Sequence, residues 1–305
     1  MSLLPSLRAQ KKGRQPYPRP GGIVSSPGGR VNPRAGPSDA APFILSLDGG
    51  GAYVVGRGSA AHRRWRPVSG KRLLVVGAHS ADFVWRAGGL SAVISQAGGQ
   101  VRILALSYGE RGESGELWKE PGQTEENVRK IRHGEAERAA GHVGASFESF
   151  NLGDYPLNVD DGALARLVGL IRDFAPDYLV THTGRDPFNP DHAMALQAVE
   201  RARSLAAGAG VESAFETVAP PQLLLFEPHQ PELCDFIPTT FVDITPVFER
   251  KLAAMAEMKA QKYLQTYYAQ RAEHRGNHAR RISGAKDIKY AEAFQRVTPQ
   301  VVSEL

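Results

Sequence analysis

Cysteine is nearly absent from this sequence, since Cys234 is the single one among 305 residues. A lone thiol forms neither an internal disulfide nor a cluster of zinc-binding thiolates, so the composition argues against a disulfide-stabilised secreted domain and favours a reducing cytoplasm. Long apolar runs are also absent, and no segment approaches the roughly 20 residues that cross a bilayer. With 42% hydrophobic and 23% charged residues, the chain has the composition of an ordinary soluble globular protein with no membrane partner.

The net charge of +5 is unevenly distributed. Residues 1–70 hold eleven Lys or Arg and two acids, whereas the other 235 residues hold 26 basic and 30 acidic groups. The first segment is also rich in Pro, Gly and Ser, which predicts a disordered or loosely attached basic N-terminal extension. One domain then covers residues 71–305. Because that domain is mildly acidic, we expect no nucleic-acid partner.

Apolar runs and amphipathic segments alternate from Lys71 onward. Strands are predicted at 73–78, 101–107, 147–152, 178–181, 222–226 and 241–244. Helices are predicted at 82–97, from Thr124 onward, at 162–174, at 191–207 and at 247–271, and the basic tail after 271 is expected to be mobile. Strands that alternate with helices of this length predict an α/β fold with a doubly wound, mainly parallel sheet.

Ionisable residues cluster directly after these strands, where the carboxyl ends of parallel strands form the ligand-binding edge of such a sheet. His79 and Asp82 follow the first strand across a tight turn, and His192 begins a later helix. Two imidazoles and a carboxylate suit Zn²⁺ or another divalent metal with an open coordination position. The alternative is that His79 and Asp82 only cap the turn and the helix.

Three segments resemble a known family. LLVVGAHSADFVWRAGG at 73–89 and THTGRDPFNPDHAMALQAV at 181–199 resemble two motifs of the PIG-L/LmbE-like zinc-dependent deacetylases, and YAEAF at 290–294 is similar to their C-terminal region. The resemblance implies a Rossmann-like fold in three α/β/α layers, with zinc on His79, Asp82 and His192.

Two residues depart from the deacetylase motifs. Ala81 stands where the family has the aspartate that acts as general base, and Asn189 stands where it has an assisting histidine. Neither side chain exchanges protons near neutral pH, so amide hydrolysis by the family mechanism is not expected. With SYGERGESGELW at 107–118, the chain resembles hydratases of the same family. That resemblance implies addition of water to the double bond of an unsaturated oxo-tricarboxylate of the 4-oxalomesaconate type, in gallate and protocatechuate breakdown.

Roles for the remaining polar residues follow from this hydration. A carboxylate, Glu113 with Glu110 in reserve, is predicted to take a proton from water, and His229 to deliver one to the neighbouring carbon. The alternatives are that Glu110 and Glu113 are solvated loop residues and that His229 has a structural role. His182 is expected to orient a metal ligand.

Cations are needed to bind the carboxylate substrate. Arg111 and Arg185 on the site loops are predicted to bind it, together with Asn189. Arg86 and Lys119 are expected to be ordinary surface charges.

Two other functions stay open. One is a zinc-dependent N-deacetylase of an acetylated amino sugar or related amide, with Glu110 or Glu113 as base, and the other is a non-catalytic carboxylate-binding protein. The helix predicted at 247–271 is expected to pack in the core or between subunits of a homo-oligomer.

Overall fold

The computed structural model describes residues 44–45, 53–54 and 70–301. The chain divides into two units, Met1–Arg57 and Gly58–Leu305. In the first unit, β1 (Ile44–Leu45) pairs antiparallel with β2 (Tyr53–Val54). The loosely attached extension predicted for residues 1–70 otherwise falls outside the described residues.

A seven-stranded sheet forms the centre of the second unit. Its strands are β3 (Arg72–Gly77), β4 (Gln100–Ala105), β5 (Ser146–Ser149), β6 (Tyr178–Thr181), β7 (Gln222–Phe226), β8 (Thr240–Asp243) and β9 (Ala291–Arg296). The spatial order is β5-β4-β3-β6-β7-β9-β8. Strands β3 to β7 pair in parallel, and β9 runs antiparallel to both of its neighbours. The predicted α/β fold with a mainly parallel sheet is therefore confirmed.

Six helices cover the two faces of this sheet. They are α1 (Asp82–Gln96), α2 (Glu125–Val143), α3 (Asp161–Phe174), α4 (Pro190–Ala206), α5 (Phe248–Glu257) and α6 (Leu264–Ser283). Leu73 and Val75 of β3 face the core shared with α1, α2, α5 and α6. Leu74 and Val76 face the core shared with α3 and α4. Since side chains alternate between the faces of a strand, burial on both sides explains the uninterrupted apolar run of β3.

The helix predicted at 247–271 is wrong, because the chain breaks between α5 and α6. Met258 leaves the helical conformation at φ −78° and ψ 66°. The break exposes backbone donors that a continuous helix would satisfy, and the Glu135 carboxylate accepts the Ala260 N–H at 3.0 Å. It also turns Gln261 into the interior, where its side chain is buried. Long-range hydrogen bonds thus override the helical pattern.

The mobile tail predicted after residue 271 is also wrong. Helix α6 continues to Ser283, and β9 then enters the sheet between β7 and β8. Glu292 of β9 accepts the N–H groups of Gly89 at 2.8 Å and Leu90 at 2.7 Å, and it pairs with Lys251 at 2.5 Å. The C-terminal strand therefore holds the middle of α1. No helix within 70–301 is long and apolar enough to span a bilayer.

Candidate metal centre

The turn after β3 places His79 beside Asp82. The His79 N–H donates to the Asp82 Oδ2 atom at 2.7 Å, and the Asp82 N–H donates to the His79 carbonyl at 3.3 Å. Gly77 comes just before this turn, and a Cβ atom there would lie 2.9 Å from the Asp82 Cβ atom. A side chain at position 77 would push the carboxylate away, so the tight turn requires glycine.

Four side chains meet at the carboxyl edge of the sheet. One potential ligand atom from each of His79, Asp82, Glu113 and His192 lies within 4.8 Å of the others. The Nε2 atom of His192 is 3.8 Å from Asp82 Oδ1 and 3.9 Å from Glu113 Oε1. The structure thus brings the three predicted metal ligands together and adds Glu113 to them.

The two imidazoles are oriented as ligands of a metal would be. Asp191 lies 3.3 Å from His79 Nε2, and Asp186 lies 2.8 Å from His192 Nδ1. Carboxylates at these atoms fix the proton there and leave the other ring nitrogen with its lone pair. Among residues 70–301, those other nitrogens, Nδ1 of His79 and Nε2 of His192, are buried and make no hydrogen bond of suitable geometry, although Glu113 Oε1 lies 3.2 Å from His79 Nδ1.

Such unpartnered buried nitrogens are rare unless an additional group binds them. Two imidazole nitrogens with one or two carboxylates fit Zn²⁺ or another divalent cation. The donor set therefore agrees with a divalent metal site.

Asp82 is buried and held by donors on both oxygens. Its Oδ1 atom accepts from Arg86 Nη1 at 2.6 Å, and its Oδ2 atom accepts from the His79 N–H at 2.7 Å. His182 Nε2, which accepts the Ala78 N–H at 3.0 Å, lies 2.9 Å from the same Oδ2 atom. Burial raises the pKa of Asp82, but His182 and Arg86 lower that pKa by more, so the carboxylate stays ionised. His182 also stacks on His192, with ring centroids 3.9 Å apart. His182 therefore contacts two of the predicted ligands, as expected for a residue that orients them.

The two loop glutamates have different surroundings. Glu113 Oε1 accepts from Asn189 Nδ2 at 2.9 Å and lies 3.2 Å from His79 Nδ1. Burial raises the pKa of Glu113, but His79 outweighs it and lowers the pKa to about 2. Glu110 is fully buried instead, and its oxygens accept from Arg129 Nε at 2.8 Å and from the Tyr108 N–H at 3.1 Å. Only Glu113 belongs to the four-residue cluster.

Asp154 orders the loop that carries Glu113. It accepts the backbone N–H groups of Arg111 at 2.9 Å and Gly112 at 2.7 Å. Gly109 in the same loop has φ +73°, and a Cβ atom there would lie 3.2 Å from the His79 Cβ atom. The loop therefore packs directly on His79, which fixes Glu113 at the cluster.

His229 follows β7 and lies outside the four-residue cluster. Its ring stacks on Tyr267 with centroids 4.2 Å apart, and its carbonyl accepts from the Tyr267 hydroxyl and from Arg271 Nη2. Burial lowers the pKa of His229, and the cations Arg86 and Arg271 lower it further. At neutral pH the free ring is therefore uncharged.

The cations predicted to bind substrate are exposed and already paired. Arg111 donates to Glu125 at 3.1 Å, and Arg185 donates to Asp235 at 3.1 Å. Arg86, expected to be a surface charge, is instead only 9% exposed. This correction has a physical cause, because Arg86 lies four residues after Asp82 on α1 and therefore faces the same way.

Lys119 is exposed, as expected, and pairs with Glu116 at 2.6 Å.

Other residues that surround the cluster were not identified from the sequence. The residues missed are Asp154, Asp186, Asp191 and Gln261. Asp186 and Asp191 stand in the same strand-end segment as His192, which was a usable signal, whereas Gln261 follows an unpredicted helix break.

The comparisons with known proteins agree with this fold. Residues 74–203 match the PIG-L family, described as GlcNAc-PI de-N-acetylase. The 4-oxalmesaconate hydratase of Pseudomonas putida (strain KT2440) is 43% identical over 238 residues, which are 77% of this chain and 92% of that protein. A 1D-myo-inositol 2-acetamido-2-deoxy-alpha-D-glucopyranoside deacetylase of Catenulispora acidiphila is 30% identical over 46% of this chain and 50% of that protein.

Solved structures give the same picture. GalB, the 4-carboxy-2-hydroxymuconate hydratase from Pseudomonas putida KT2440, has a TM-score of 0.75 and 43% identity, covering 77% of this chain and 99% of that chain. The N,N'-diacetylchitobiose deacetylase from Pyrococcus horikoshii shares the fold, with a TM-score of 0.62 and 19% identity over 74% of this chain and 84% of that chain. On the 43% identity to the hydratase over 77% of this chain, the chain belongs to the PIG-L family, as its motifs predicted.

Proposed function

We propose that this protein is a metal-dependent hydratase that adds water to the carbon–carbon double bond of an unsaturated oxo-tricarboxylate of the 4-oxalomesaconate type. The observation that carries the proposal is 43% identity to a curated hydratase over 92% of that relative's length. The site supports it independently, because Ala81 is fully buried beside the cluster and cannot take a proton there.

The proposed ligands of the metal are His79, Asp82 and His192. Their unpartnered nitrogens and ionised carboxylate fit a divalent cation, and Zn²⁺ is the metal proposed. When bound, such a metal would supply positive charge that polarises a carbonyl or carboxylate conjugated with the double bond.

Glu113 and His229 are the proposed proton-transfer groups. The Glu113 carboxylate lies within the cluster, so it can accept a proton from a water molecule as the oxygen adds to one alkene carbon. His229 then gives a proton to the other alkene carbon, which completes addition of one H and one OH. Because the free imidazole is uncharged, this step requires that the bound anionic substrate raise the pKa of His229.

Hydration is tested by following the conjugated absorbance of 4-oxalomesaconate, alongside acetate release from acetylated amino sugars. Loss of absorbance without acetate release is expected. Acetate release without hydration would instead support the deacetylase alternative. The observations in favour of that alternative are the 30% identity to a deacetylase and the position of Glu113 in the cluster. Full metal occupancy without turnover of either substrate would support a non-catalytic carboxylate-binding protein.

Zinc content, location and assembly complete the proposal. Metal analysis of the purified protein is expected to find zinc. We propose a cytoplasmic enzyme, in agreement with the free buried Cys234. A homo-oligomer is proposed as well, and light scattering of the eluting protein measures its mass.

A further inference from the structure

Arg86 is a buried cation with few hydrogen-bond partners. Within residues 70–301, its guanidinium makes one hydrogen bond, to Asp82 Oδ1 at 2.6 Å. Its Nε–H group is buried and has no acceptor. A guanidinium carries five N–H donors, and buried donors are nearly always satisfied. The environment of Arg86 therefore lacks an acceptor.

Tyr268 on α6 offers a second unsatisfied donor close by. Its side chain is buried, and in the described part of the chain its hydroxyl has no hydrogen-bond partner. The ring stacks on Trp85 with centroids 5.5 Å apart, which fixes its position. Burial raises the pKa of Tyr268 to about 12, so the hydroxyl keeps its proton and can donate it.

Arg86 and Tyr268 line the same interior cavity, between α1, α6 and β9. The cavity has a volume of about 20 Å³, which is room for one water-sized group. Its other charged lining residues are Glu227, Lys251, Arg271 and Glu292. Lys251 is paired with Glu292 at 2.5 Å, and Arg271 with Glu227 at 2.5 Å.

The charges around this cavity leave a positive excess. Of the residues that line it, Arg86, Lys251 and Arg271 are cations and Glu227 and Glu292 are carboxylates, whereas Asp82, the partner of Arg86, lies outside the lining. The lining itself therefore carries one more positive charge than negative charges. Two unsatisfied donors and a net positive lining in a small space suit an anionic oxygen better than a neutral water molecule.

We propose that this cavity binds one oxygen of a carboxylate, through the Nε–H group of Arg86 and the hydroxyl of Tyr268. We further infer that a carboxylate of the substrate occupies it during turnover, and this second part rests on the proposed function. The position is suitable, because Arg86 also contacts Asp82 and therefore joins the cavity to the predicted metal ligands. Arg111 and Arg185 fit the role less well, since both are exposed and paired with acids.

Formate binding tests the anion site, since formate is the smallest carboxylate. Calorimetric titration of the metal-loaded full-length protein compares the wild type with Tyr268→Phe, which keeps the stacked ring and touches no predicted metal ligand. Loss of one hydrogen bond to a charged group is expected to weaken formate binding by about tenfold or more. Tyr178→Phe is the matched control, because it removes the hydroxyl of a half-buried tyrosine at the opposite end of the sheet. Equal formate affinity in all three proteins would overturn the proposal.

Arg86→Lys provides a second variant that keeps the charge but lacks the planar guanidinium. It is expected to weaken formate binding similarly, with metal content and melting temperature measured in parallel. Weaker formate binding with full metal content supports a direct role of Arg86. Unchanged formate affinity in a fully metallated Arg86→Lys protein contradicts one.

Kinetics with 4-oxalomesaconate identify the source of the carboxylate. If the substrate occupies the cavity, Tyr268→Phe is expected to raise KM about tenfold with little change in kcat. Weaker formate binding with unchanged KM would retain the anion site but refute its occupation by substrate. Formate binding that depends on Tyr268 in a protein without hydratase activity would retain the site and refute the proposed function.

Discussion

Replacing Glu113 with glutamine removes the proposed general base while preserving the size of the side chain. His79, Asp82 and His192 stay in place, so the variant is expected to keep its metal. Loss of a general base slows turnover by about a hundredfold or more, which corresponds to about 2.7 kcal/mol in the activation barrier. The measurement is kcat from the loss of conjugated absorbance, with metal content determined on the same sample.

The contacts of Glu113 also predict a loss of stability. Its two oxygens accept from Asn189 Nδ2 at 2.9 Å and from Gln261 Nε2 at 3.3 Å. A glutamine at 113 can accept from one of these donors but turns its own NH₂ group toward the other. The Gln261 amide cannot simply rotate, because its oxygen accepts from Trp85 and Arg132. An unmatched buried donor lowers the free energy of unfolding by about 1–3 kcal/mol, so kcat is measured well below the melting temperature of the variant.

Glu110→Gln is the matched control for this experiment. Glu110 lies on the same loop and is buried, but its carboxylate is bound by Arg129 and the Tyr108 N–H. The control is expected to lose some stability and to retain kcat within a few-fold. An equal fall in kcat for both variants, or a fall for Glu110→Gln alone, would refute the assignment of the base to Glu113.

Further predictions concern the metal, the fold and the acid. His79→Ala and His192→Ala are each expected to lose metal and activity together, and retained metal in either would contradict the ligand assignment. Glu292→Gln leaves Lys251 without its buried partner and is expected to lower the free energy of unfolding in urea by about 3–5 kcal/mol, whereas a change below about 1 kcal/mol would show that the pair is unimportant. The His229 ring is expected to titrate below its ordinary pKa of 6.5, by NMR of the free protein. Because the folded state then disfavours the protonated ring, His229 contributes stability that is fully present above pH 6.5 and is lost as the pH falls from there through the lower pKa of the folded protein. A midpoint above 6.5 would contradict the assigned environment.

The carboxyl-end rule for parallel sheets predicted the centre of the site from sequence alone. It placed His79, Asp82, Glu113 and His192 at one edge, although Asp82 and His192 are 110 residues apart in the sequence, and the structure brings all four together. The rule succeeds because parallel strands share a direction, so residues that follow different strands meet without any knowledge of the helices between them.

The parts that depend on long-range packing could not be predicted in this way. The helical pattern continues through Met258, and only tertiary contacts such as the acceptance of the Ala260 N–H by Glu135 reveal the break. Strand β9 carries Glu292 among small and aromatic residues, so it gives little apolar alternation. The contact of Arg86 with Asp82 could have been predicted from the sequence, because a cation four residues after a predicted ligand lies on the same face of the helix.

The balance of charge explains why the site requires a cation besides its own arginine. Asp82, Glu113 and Asp191 are all ionised around His79, and the one hydrogen bond of Arg86 within residues 70–301 goes to Asp82. Burial alone would lower the pKa of His79, yet Glu113 and Asp191 raise it well above its ordinary value, so in the metal-free protein a proton on this ring compensates the carboxylates. That proton and a divalent metal compete for the same ring, since a ligand nitrogen must be unprotonated. The buried carboxylates therefore favour metal binding. Without a metal, a single proton on the predicted ligand His79 compensates their negative charge, and one proton carries less positive charge than a divalent metal.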